Sequence, residues 1–542
     1  MNEMNKMDVL FVGAGPASLA GAIRLKQLLV EKGKDASVVI IEKAAKPGQH
    51  NLSGAVFEAG VLDELIPDWR ERKDEFVSKM LDGKVEKDDT YFLFGEDKAV
   101  KLPHGLVPAA MHNAGNYVIS ISEMVKWLSG IARHLGVEIY NGFAARDVIV
   151  ENNTVKGVKL GDKGLNREGK PMANYVPGDV LQANVTVLGE GSLGLRSGEM
   201  VKKFGLDEGK NPQIYSLGVK EIIRLPEDNS FGANRVLHTF GFPNNRLTPD
   251  VFGGGSLYSM GPNTVAVALI LALDWRYCDL NPQRELQIFK SHRLIKGFLE
   301  GGEVTAYGAR TLPEGGYYSM PESAMNGALI IGDSAGLTNV KKLKGLHYAI
   351  KSGILAAEAI AGAIEKQDFS QQTLNIYQDR LKASFIGREI REARNHRQVF
   401  ARAGRAGVYL GAPLSFVQGW IPGRLGIKPD HEGMRPLRLN RRYTGGIDRL
   451  TGVNLSGTTH REDEPSHITL TDPAECEGCG RLFGCHPCQY FCPAEVYNFD
   501  GDKLILSPSN CLHCQTCRVK CPRQVIRWEV PEGGDGPRYR MM

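Results

Sequence analysis

Short apolar runs and longer stretches of helical period alternate along roughly the first 450 residues. The runs are rich in Val, Ile and Leu and predict buried strands; the clearest lie at 9–12, 37–41, 264–273 and 328–331. Residues 19–29, between the first two runs, repeat apolar positions at the spacing of a helix. This alternation predicts an α/β fold that contains mixed sheets.

A polar, glycine-containing stretch at 441–464 separates this larger unit from a cysteine-rich end. Nine of the ten cysteines lie between Cys476 and Cys521, whereas Cys278 stands alone in the larger unit. Such local crowding is typical of a metal site and not of a disulfide framework that spans a fold. We therefore predict two units, 1–450 and 451–542, in a reducing compartment, with an inert buried thiol at Cys278.

Composition and charge narrow the classes of function. The 542 residues are 42% hydrophobic and 24% charged, which is typical of a globular chain with two to four compact units. The net charge of +4 comes without a long block of Lys or Arg, which argues against a nucleic-acid partner. The N-terminus shows neither a secretory signal nor an Arg-rich presequence, and no apolar run is long enough to predict a spanning helix.

The first strand runs into a tight glycine turn that opens the first helix. Gly13 and Gly15 allow backbone to approach a pyrophosphate at the positive end of that helix, while Ser18 replaces the third glycine of the usual fingerprint. The second strand ends on Glu42, where a carboxylate can accept hydrogen bonds from an adenosine ribose. The combination predicts a dinucleotide site, and the alternative is a purely structural strand–turn–helix.

Two downstream elements favour FAD over NAD. The strand at 328–331 ends in Gly332 and Asp333, which can contact the ribityl and phosphate side of a flavin at the start of a helix. An earlier strand ends at Gly189 and is similar to the segment that closes over the nucleotide in FAD folds of the glutathione-reductase type. Either could be an ordinary turn, but their order and spacing support one another.

Cysteine spacing near the C-terminus predicts an iron–sulfur cluster. Cys511, Cys514 and Cys517 form the closely spaced run of bacterial ferredoxins, whose fourth ligand comes from a distant Cys-Pro, here Cys492. Three thiolates two residues apart suit a [4Fe–4S] cubane better than the paired knuckles of a zinc ribbon.

The remaining cysteines of this segment repeat part of that spacing and indicate a second [4Fe–4S] cluster. Its expected ligands are Cys479, Cys485, Cys488 and the Cys-Pro residue Cys521, with Cys476 as a less favoured replacement for Cys479. The alternative is a zinc ion bound by Cys476, Cys479, Cys485 and Cys488, which leaves Cys521 without a role.

Longer stretches of the chain resemble the electron transfer flavoprotein:ubiquinone oxidoreductase family. They include GQHNLSG at 48–54, KGLH at 344–347, GVNLSGTTH at 452–460 and VPEGGDGPRY at 530–539, together with 301–309 and 351–358. Flavin monooxygenases and geranylgeranyl reductases are more distant alternatives. The resemblance implies a glutathione-reductase-type FAD domain interwoven with a mixed-sheet quinone-binding domain, and a ferredoxin-like C-terminal domain. The implied FAD segments are about 1–80, 130–200 and 325–365, and the implied quinone-binding segments are about 85–125 and 210–320.

The resemblance also implies a function, that of an electron-transferring-flavoprotein dehydrogenase. Electrons from reduced electron transfer flavoprotein would pass through a [4Fe–4S] cluster and FAD to ubiquinone or menaquinone. Gly253 and Gly254 match the backbone that the family places against the quinone head, although a glycine bulge is the alternative reading. Asn339 matches a polar residue near the flavin, whereas Leu346 stands where the family has Thr.

A quinone-reducing protein has to reach lipid. Residues 406–423 carry no charge, contain Phe416 and Trp420, and are flanked by arginines, which suits a half-inserted membrane-contact segment at about 400–427. The resemblance assigns 102–111 to a second membrane-dipping loop. We therefore expect a monotopic protein on the cytoplasmic face of the cell inner membrane, and a buried core segment is the alternative for 406–423.

A function of another class also fits these motifs. The chain could be an electron-relay flavoprotein subunit of a larger flavin-based complex, with no quinone chemistry of its own. Quinone reduction by the isolated chain distinguishes the two hypotheses.

Overall fold

Two mixed β-sheets and a small cysteine-rich unit account for most of the described chain. The computed structural model describes residues 6–52, 55–244, 251–403 and 423–542. The segment at 406–422, including Phe416 and Trp420, therefore lies outside the described residues. No helix among those described is long and apolar enough to cross a membrane.

The first sheet, which we call the nucleotide sheet, has eight strands around a parallel centre. The central strands Lys6–Val12 and Val180–Leu188 pair in parallel, and the apolar residues at 9–12 and 185–188 are almost fully buried. Continuous apolar runs are expected where a parallel sheet is covered on both faces. The strands are Lys6–Val12, Val38–Glu42, Glu138–Asn141, Ala145–Glu151, Thr154–Leu160, Val180–Leu188, Ala324–Met325 and Ala328–Ile330.

Two long helices pack closely on one another beside this sheet. Pro16–Glu31 and Leu346–Lys366 approach through small residues, because a Cβ on Gly353 would lie 2.0 Å from the carbonyl oxygen of Ala17. Both helices begin at the same edge of the sheet as the turns that follow its strands. Their N-termini therefore border the same space.

The second sheet has seven strands, and it is mixed because Arg235–Gly241 pairs in parallel with Lys87–Phe94. Its remaining pairs are antiparallel. From edge to edge the strands are Glu303–Pro313, Tyr215–Arg224, Thr264–Ala272, Gly253–Ser259, Arg235–Gly241, Lys87–Phe94 and Lys98–Lys101.

The chain passes back and forth between these two sheets. It leaves the nucleotide sheet after Val38–Glu42, adds two strands to the second sheet, and returns through the helix Ile121–His134. A second excursion ends when Ala324–Met325 rejoins the nucleotide sheet. This interweaving confirms the predicted α/β class with a mixed second sheet.

The cysteine-rich unit contains short helices and two antiparallel strand pairs. Ile468–Leu470 pairs with Ile526–Trp528, and Tyr497–Asp500 pairs with Lys503–Leu506. Its apolar residues share one core with the second sheet, where the buried Tyr307 hydroxyl donates to the carbonyl of Pro493 at 2.9 Å. The final residues return to the nucleotide sheet, since Gly534 forms a bridge with Ala44.

The remaining helices lie outside the two sheets, in the connections between strands and in the cysteine-rich unit. They are Gly60–Leu65, Glu75–Asp82, Leu195–Lys203, Pro282–Ser291, Arg293–Phe298, Gln371–Leu374, Ile376–Ala383, Phe385–Glu392, His396–Ala403, Arg449–Leu455, Pro473–Phe483, Pro487–Phe491 and Thr516–Lys520.

Candidate cofactor and quinone site

One continuous cavity of about 400 Å³ lies between the nucleotide sheet and the second sheet. Nearly all the residues that the sequence predicts for FAD and quinone line it, although the chain places them up to 326 residues apart, from 13 to 339. These residues are Gly13, Gly15, Glu42, Gly189, Gly253, Gly254, Gly332, Asp333 and Asn339.

The two positions of the first turn have glycine for different reasons. Gly13 has φ +95°, and a Cβ there would lie 2.7 Å from the carbonyl oxygen of Gly189, so the protein itself requires this glycine. A Cβ on Gly15 would approach that oxygen only to 4.0 Å, and the position faces the cavity. Gly15 caps the helix Pro16–Glu31 without a side-chain hydrogen bond. The open helix end and bare backbone fit a pyrophosphate.

Ser18 packs behind this turn and does not line the cavity. Its side chain is fully buried, and a Cβ on Gly189 would lie 2.2 Å from its hydroxyl oxygen. Ser18 thus fills the space between the first helix and the strand that ends at Leu188. Direct contact with FAD stays a prediction for this residue.

The Glu42 carboxylate is held in place by backbone. Its Oε2 accepts from the amide of Ala14 at 2.7 Å, and its Oε1 accepts from the amide of Ala44 at 2.8 Å. Each carboxylate oxygen keeps acceptor capacity beyond these bonds. Glu42 therefore joins the glycine turn to the end of the second strand and presents oriented acceptors to a ribose.

The second glycine turn places a buried carboxylate against the cavity. Gly332 has φ +61°, which glycine adopts without strain, and its amide donates to the Ser352 hydroxyl at 3.0 Å. Burial raises the pKa of Asp333 to about 6, opposed by the charge of Arg310 and by a hydrogen bond from Thr338. This carboxyl group can offer either an acceptor or a donor to a polar ligand near neutral pH.

Asn339 lines the same cavity, but its side chain is engaged within its own loop. Its amide nitrogen donates to the Tyr348 hydroxyl at 3.2 Å, and its oxygen accepts from the amide of Lys342 at 3.1 Å. Leu346 begins the following helix and also lines the cavity. Asn339 shapes the loop before Leu346, and its own contact with FAD stays a prediction.

On the second sheet, the glycine pair allows its strand to lie close to both neighbours. A Cβ on Gly253 would lie 2.0 Å from the Ile270 carbonyl oxygen, and one on Gly254 would lie 2.3 Å from that of Thr239. The ladder with the strand Thr264–Ala272 is regular through both glycines, so no bulge is present. The close approach of the neighbouring strands explains why both residues are glycine. Because they have no side chains, their backbone is also exposed to the cavity.

A buried polar pair faces the cavity beside these glycines, and sequence reasoning missed it. His238 Nε2 and the Tyr258 hydroxyl are 2.7 Å apart, and His238 Nδ1 has no hydrogen-bond partner among the described residues. Burial lowers the pKa of His238 to about 4 and raises the pKa of Tyr258 well above its usual range. Alternation along each strand places both on the cavity face, but only the pairing of the strands brings them together.

Lys220 adds a positive group to the same face of the second sheet. Its side chain is buried and lines the cavity, and burial lowers its pKa to about 7. Sequence reasoning missed Lys220, because it belongs to no recognisable motif in its strand.

The predicted cluster cysteines lie on the other side of a thin wall from this cavity. Cys492, Cys511, Cys514 and Cys517 are all buried. Arg310 and Trp528 line the cavity, and both contact His513, through a hydrogen bond of 3.1 Å to its carbonyl and a ring contact of 5.2 Å. The two sites are therefore neighbours.

Sulfur spacing shows which metal centre these cysteines fit. All ten cysteines are described, yet no three of their sulfurs lie within 4.8 Å of one another. Four thiolates on one tetrahedral zinc would be about 3.8 Å apart. Ligands of a cubane bind separate irons and lie farther apart. The arrangement fits an iron–sulfur cluster.

Neutral histidines fill the wall beside His513. Nitrogens of His460, His467 and His513 lie within 4.8 Å of one another, and His460 and His513 are joined by a 2.8 Å contact between their Nε2 atoms. Burial lowers the pKa of His460 to about 4 and that of His467 to about 3. These two histidines are therefore neutral at physiological pH.

Flavin-dependent oxidoreductases that also carry an iron–sulfur centre are the class that fits this fold and site. Residues 445–540 match the family model "Electron transfer flavoprotein-ubiquinone oxidoreductase, 4Fe-4S", and 215–312 match "ETF-QO, ubiquinone-binding". The chain belongs to the electron transfer flavoprotein-ubiquinone oxidoreductase family. The predicted family, with FAD and a [4Fe–4S] cluster as cofactors, is confirmed.

Curated relatives of that name cover the whole chain. The mitochondrial protein of Arabidopsis thaliana is 41% identical, over 100% of this chain and 85% of the relative. The Pseudomonas aeruginosa protein is 39% identical over 100% of both chains. The mitochondrial protein of Homo sapiens is 38% identical, over 99% of this chain and 89% of the relative.

The similarity of this chain to solved structures concerns the fold alone. A geranylgeranyl bacteriochlorophyll reductase-like protein of Thermoplasma acidophilum has a TM-score of 0.56 at 20% identity, covering 78% of this chain and 94% of its own. A flavin-dependent brominase variant has a TM-score of 0.51 at 17% identity, covering 76% and 94%.

Proposed function

We propose that this chain accepts electrons from reduced electron transfer flavoprotein and passes them to a membrane quinone. The observation that carries the proposal is the single cavity whose two walls are the dinucleotide turns and the glycine pair of the second sheet, with the cluster cysteines next to it. Relatives across the full length are named for this activity.

Within this cavity, Gly13, Gly15, Glu42, Gly189, Gly332 and Asp333 hold FAD, assisted by Ser18 and Asn339 behind the turns. FAD supplies conversion between one-electron and two-electron transfer when bound. Lys43 lies over the Trp528 ring at 5.2 Å and lines the cavity. Burial lowers its pKa to about 8, so it adds positive charge beside the dinucleotide at neutral pH.

Cys492, Cys511, Cys514 and Cys517 hold the [4Fe–4S] cluster that relays single electrons to this cavity. Arg310 connects the two sites through its hydrogen bond to the His513 carbonyl. Its charge favours the thiolate form of Cys514, whose pKa burial raises. A positive group here stabilises negative charge that arrives on either side of the wall.

The quinone head lies against Gly253 and Gly254 on the second-sheet wall. Backbone and apolar side chains accept either ubiquinone or menaquinone. Reduction of a quinone to a quinol takes two electrons and two protons, and the His238–Tyr258 pair is placed to deliver a proton. Because its pKa is about 4, His238 is neutral at physiological pH and acts together with the Tyr258 hydroxyl.

We expect the loop at 102–111 to contact a membrane surface. It contains no Asp, Glu, Lys or Arg, and its Leu106 is 64% exposed. Lys344, from the loop before Leu346, reaches the carbonyls of Ala110 and His112 at 3.5 and 3.4 Å. The exposed loop is thus tied to a residue of the cavity wall, which supports membrane contact close to the cavity. The location that we propose is monotopic, on the cytoplasmic face of the inner membrane.

An assay with the isolated holoprotein tests the proposed function. Chemically reduced electron transfer flavoprotein and a tailless quinone are supplied anaerobically, and quinol formation is followed. We expect catalytic turnover that depends on both. Reduction of the chain without any quinol formation would instead support an electron-relay subunit.

A further inference from the structure

Five cysteines of the C-terminal unit have no part in the first cluster. They are Cys476, Cys479, Cys485, Cys488 and Cys521, and every one is buried. The solitary Cys278 of the second sheet's apolar core is buried near them. Several buried cysteines crowded within one segment are typical of a metal site.

Cys476 and Cys479 point from one face of a short helix toward the interior. Both belong to Pro473–Phe483, where they and Phe483 are the buried residues. The helix is fixed against the segment after Cys521 at two points. Thr471 donates from its amide to the Val525 carbonyl at 2.9 Å, and Glu475 forms an ion pair with Arg523.

Cys521 belongs with these two cysteines and not with the first cluster. Both points that fix the helix Pro473–Phe483 lie just after Cys521, at Arg523 and Val525. Cys521 follows the helix Thr516–Lys520 and precedes a proline. In two-cluster ferredoxins, a cysteine before proline binds the cluster of the opposite run.

Cys488 completes a set of four. It is buried in Pro487–Phe491, a helix that packs on Thr516–Lys520. That contact places Cys488 beside the segment that ends at Cys521. The first cluster already has four expected ligands, so Cys488 is available to this set.

Cys485, which spacing alone assigns to the second set, lies elsewhere. Its sulfur is 2.8 Å from the sulfur of Cys278, across the border between the C-terminal unit and the second sheet. The Cys278 sulfur also lies 3.5 Å from the Phe483 carbonyl. Cys476 takes the place that spacing gives to Cys485, because the helix from Pro473 to Phe483 turns Cys476 and Cys479 to the same side.

We propose that Cys476, Cys479, Cys488 and Cys521 hold a second [4Fe–4S] cluster. Zinc does not fit this set, because its sulfurs are not gathered within 4.8 Å of one another as a tetrahedral site demands. The crossed use of the Cys-Pro residues, Cys492 for one cluster and Cys521 for the other, is the ligation pattern of two-cluster ferredoxins. Metal content is measured without any quinone assay, so this inference stands apart from the proposed function.

The second cluster lies on the side of the C-terminal unit that faces solvent. The outer face of Pro473–Phe483 is exposed, including Leu482 at 53%. If the proposed function holds, a second cluster at this place would supply one-electron transfer between solvent-side donors and the first cluster.

Iron, sulfide and zinc analysis of the holoprotein, purified without oxygen, tests the inference together with two matched variants. We expect about eight irons per chain and no zinc in the parent protein. Cys476→Ala should retain about four irons, whereas Cys485→Ala, an equally buried thiol in the same unit, should retain about eight. The paramagnetic resonance spectrum of the reduced parent should show coupling between two clusters, and Cys476→Ala should lose it.

Retained FAD, which is bound by the other unit, reports whether each variant is folded. Cys521→Ala provides the same test from the opposite end of the set if Cys476→Ala loses FAD. Four irons in the parent protein, with or without zinc, would overturn the second cluster. A loss of iron in Cys485→Ala but not in Cys476→Ala would overturn the ligand assignment.

Discussion

At the scale of single residues, the glycines that line the cavity are of two kinds. Packing within the protein requires some of them, and it does not explain one. Gly13, Gly253 and Gly254 each lie where a Cβ would meet a backbone oxygen at 2.7 Å or less. Gly15 meets no such limit, because its nearest neighbour would be 4.0 Å away. We therefore expect glycine at position 15 to serve the approach of the dinucleotide.

Gly15→Val is expected to abolish FAD binding while leaving the fold intact. Its two added methyl groups enter the cavity where the pyrophosphate lies, so flavin retained after desalting should fall below about a tenth of the parent value. Cluster iron should be unchanged. Gly130→Val is the matched control, because a Cβ on Gly130 meets nothing within 4 Å and the position is distant from the cavity lining. A full flavin complement in Gly15→Val would refute the role of this turn.

Tyr258→Phe tests proton delivery to the quinone. The change removes one hydroxyl and leaves the ring, so quinol formation should slow by about 100-fold while reduction of the flavin by the donor is unaffected. Tyr377→Phe is the control, since that tyrosine is equally buried and its hydroxyl donates to the Ile330 carbonyl at 3.2 Å away from the cavity. Equal slowing of both half-reactions, or none, would show that the His238–Tyr258 pair has another role.

At the scale of elements, the local motifs were predictable and their partners were not. The first strand, turn and helix follow from apolar period and glycine spacing, and the cubane run from cysteine spacing alone. His238 and Tyr258 carry no such signal, because neither belongs to a recognisable motif and their contact depends on pairing across the sheet. The same holds for Cys485 and Cys278, which are 207 residues apart in sequence.

The loop at 102–111 is the described element that we expect to touch the membrane. Leu106→Asp replaces its most exposed apolar side chain with a charge, and we expect binding to lipid vesicles to weaken by about tenfold or more. Val30→Asp alters a valine that is 77% exposed at the end of the first helix and should bind as the parent does. The readout is co-sedimentation with vesicles of inner-membrane lipid composition.

Reduction of a long-tailed quinone should also slow more in Leu106→Asp than reduction of a tailless one. Identical vesicle binding by Leu106→Asp and the parent protein would remove this loop from the membrane contact. The uncharged segment with Phe416 and Trp420 would then be the remaining candidate for membrane contact.

At the scale of the whole molecule, the cluster cysteines, the cavity and the exposed loop are neighbours. The cysteine-rich unit shares its core with the second sheet, and His513, Arg310 and Trp528 lie between its cysteines and the cavity. Lys344 ties the exposed loop, which we expect to contact lipid, to the cavity wall. Electrons that enter at the cysteine-rich unit can therefore reach quinone without leaving the chain.

Anaerobic double-mixing of the isolated holoprotein tests this path most directly. Reduced electron transfer flavoprotein is mixed first, and absorbance of the chain's flavin and clusters is followed; a tailless quinone is added second. The account predicts that the centres are reduced in the first step and that quinol equal to half the electrons taken up appears in the second. Centres that become reduced in the first step but stay reduced after quinone is added would contradict this account.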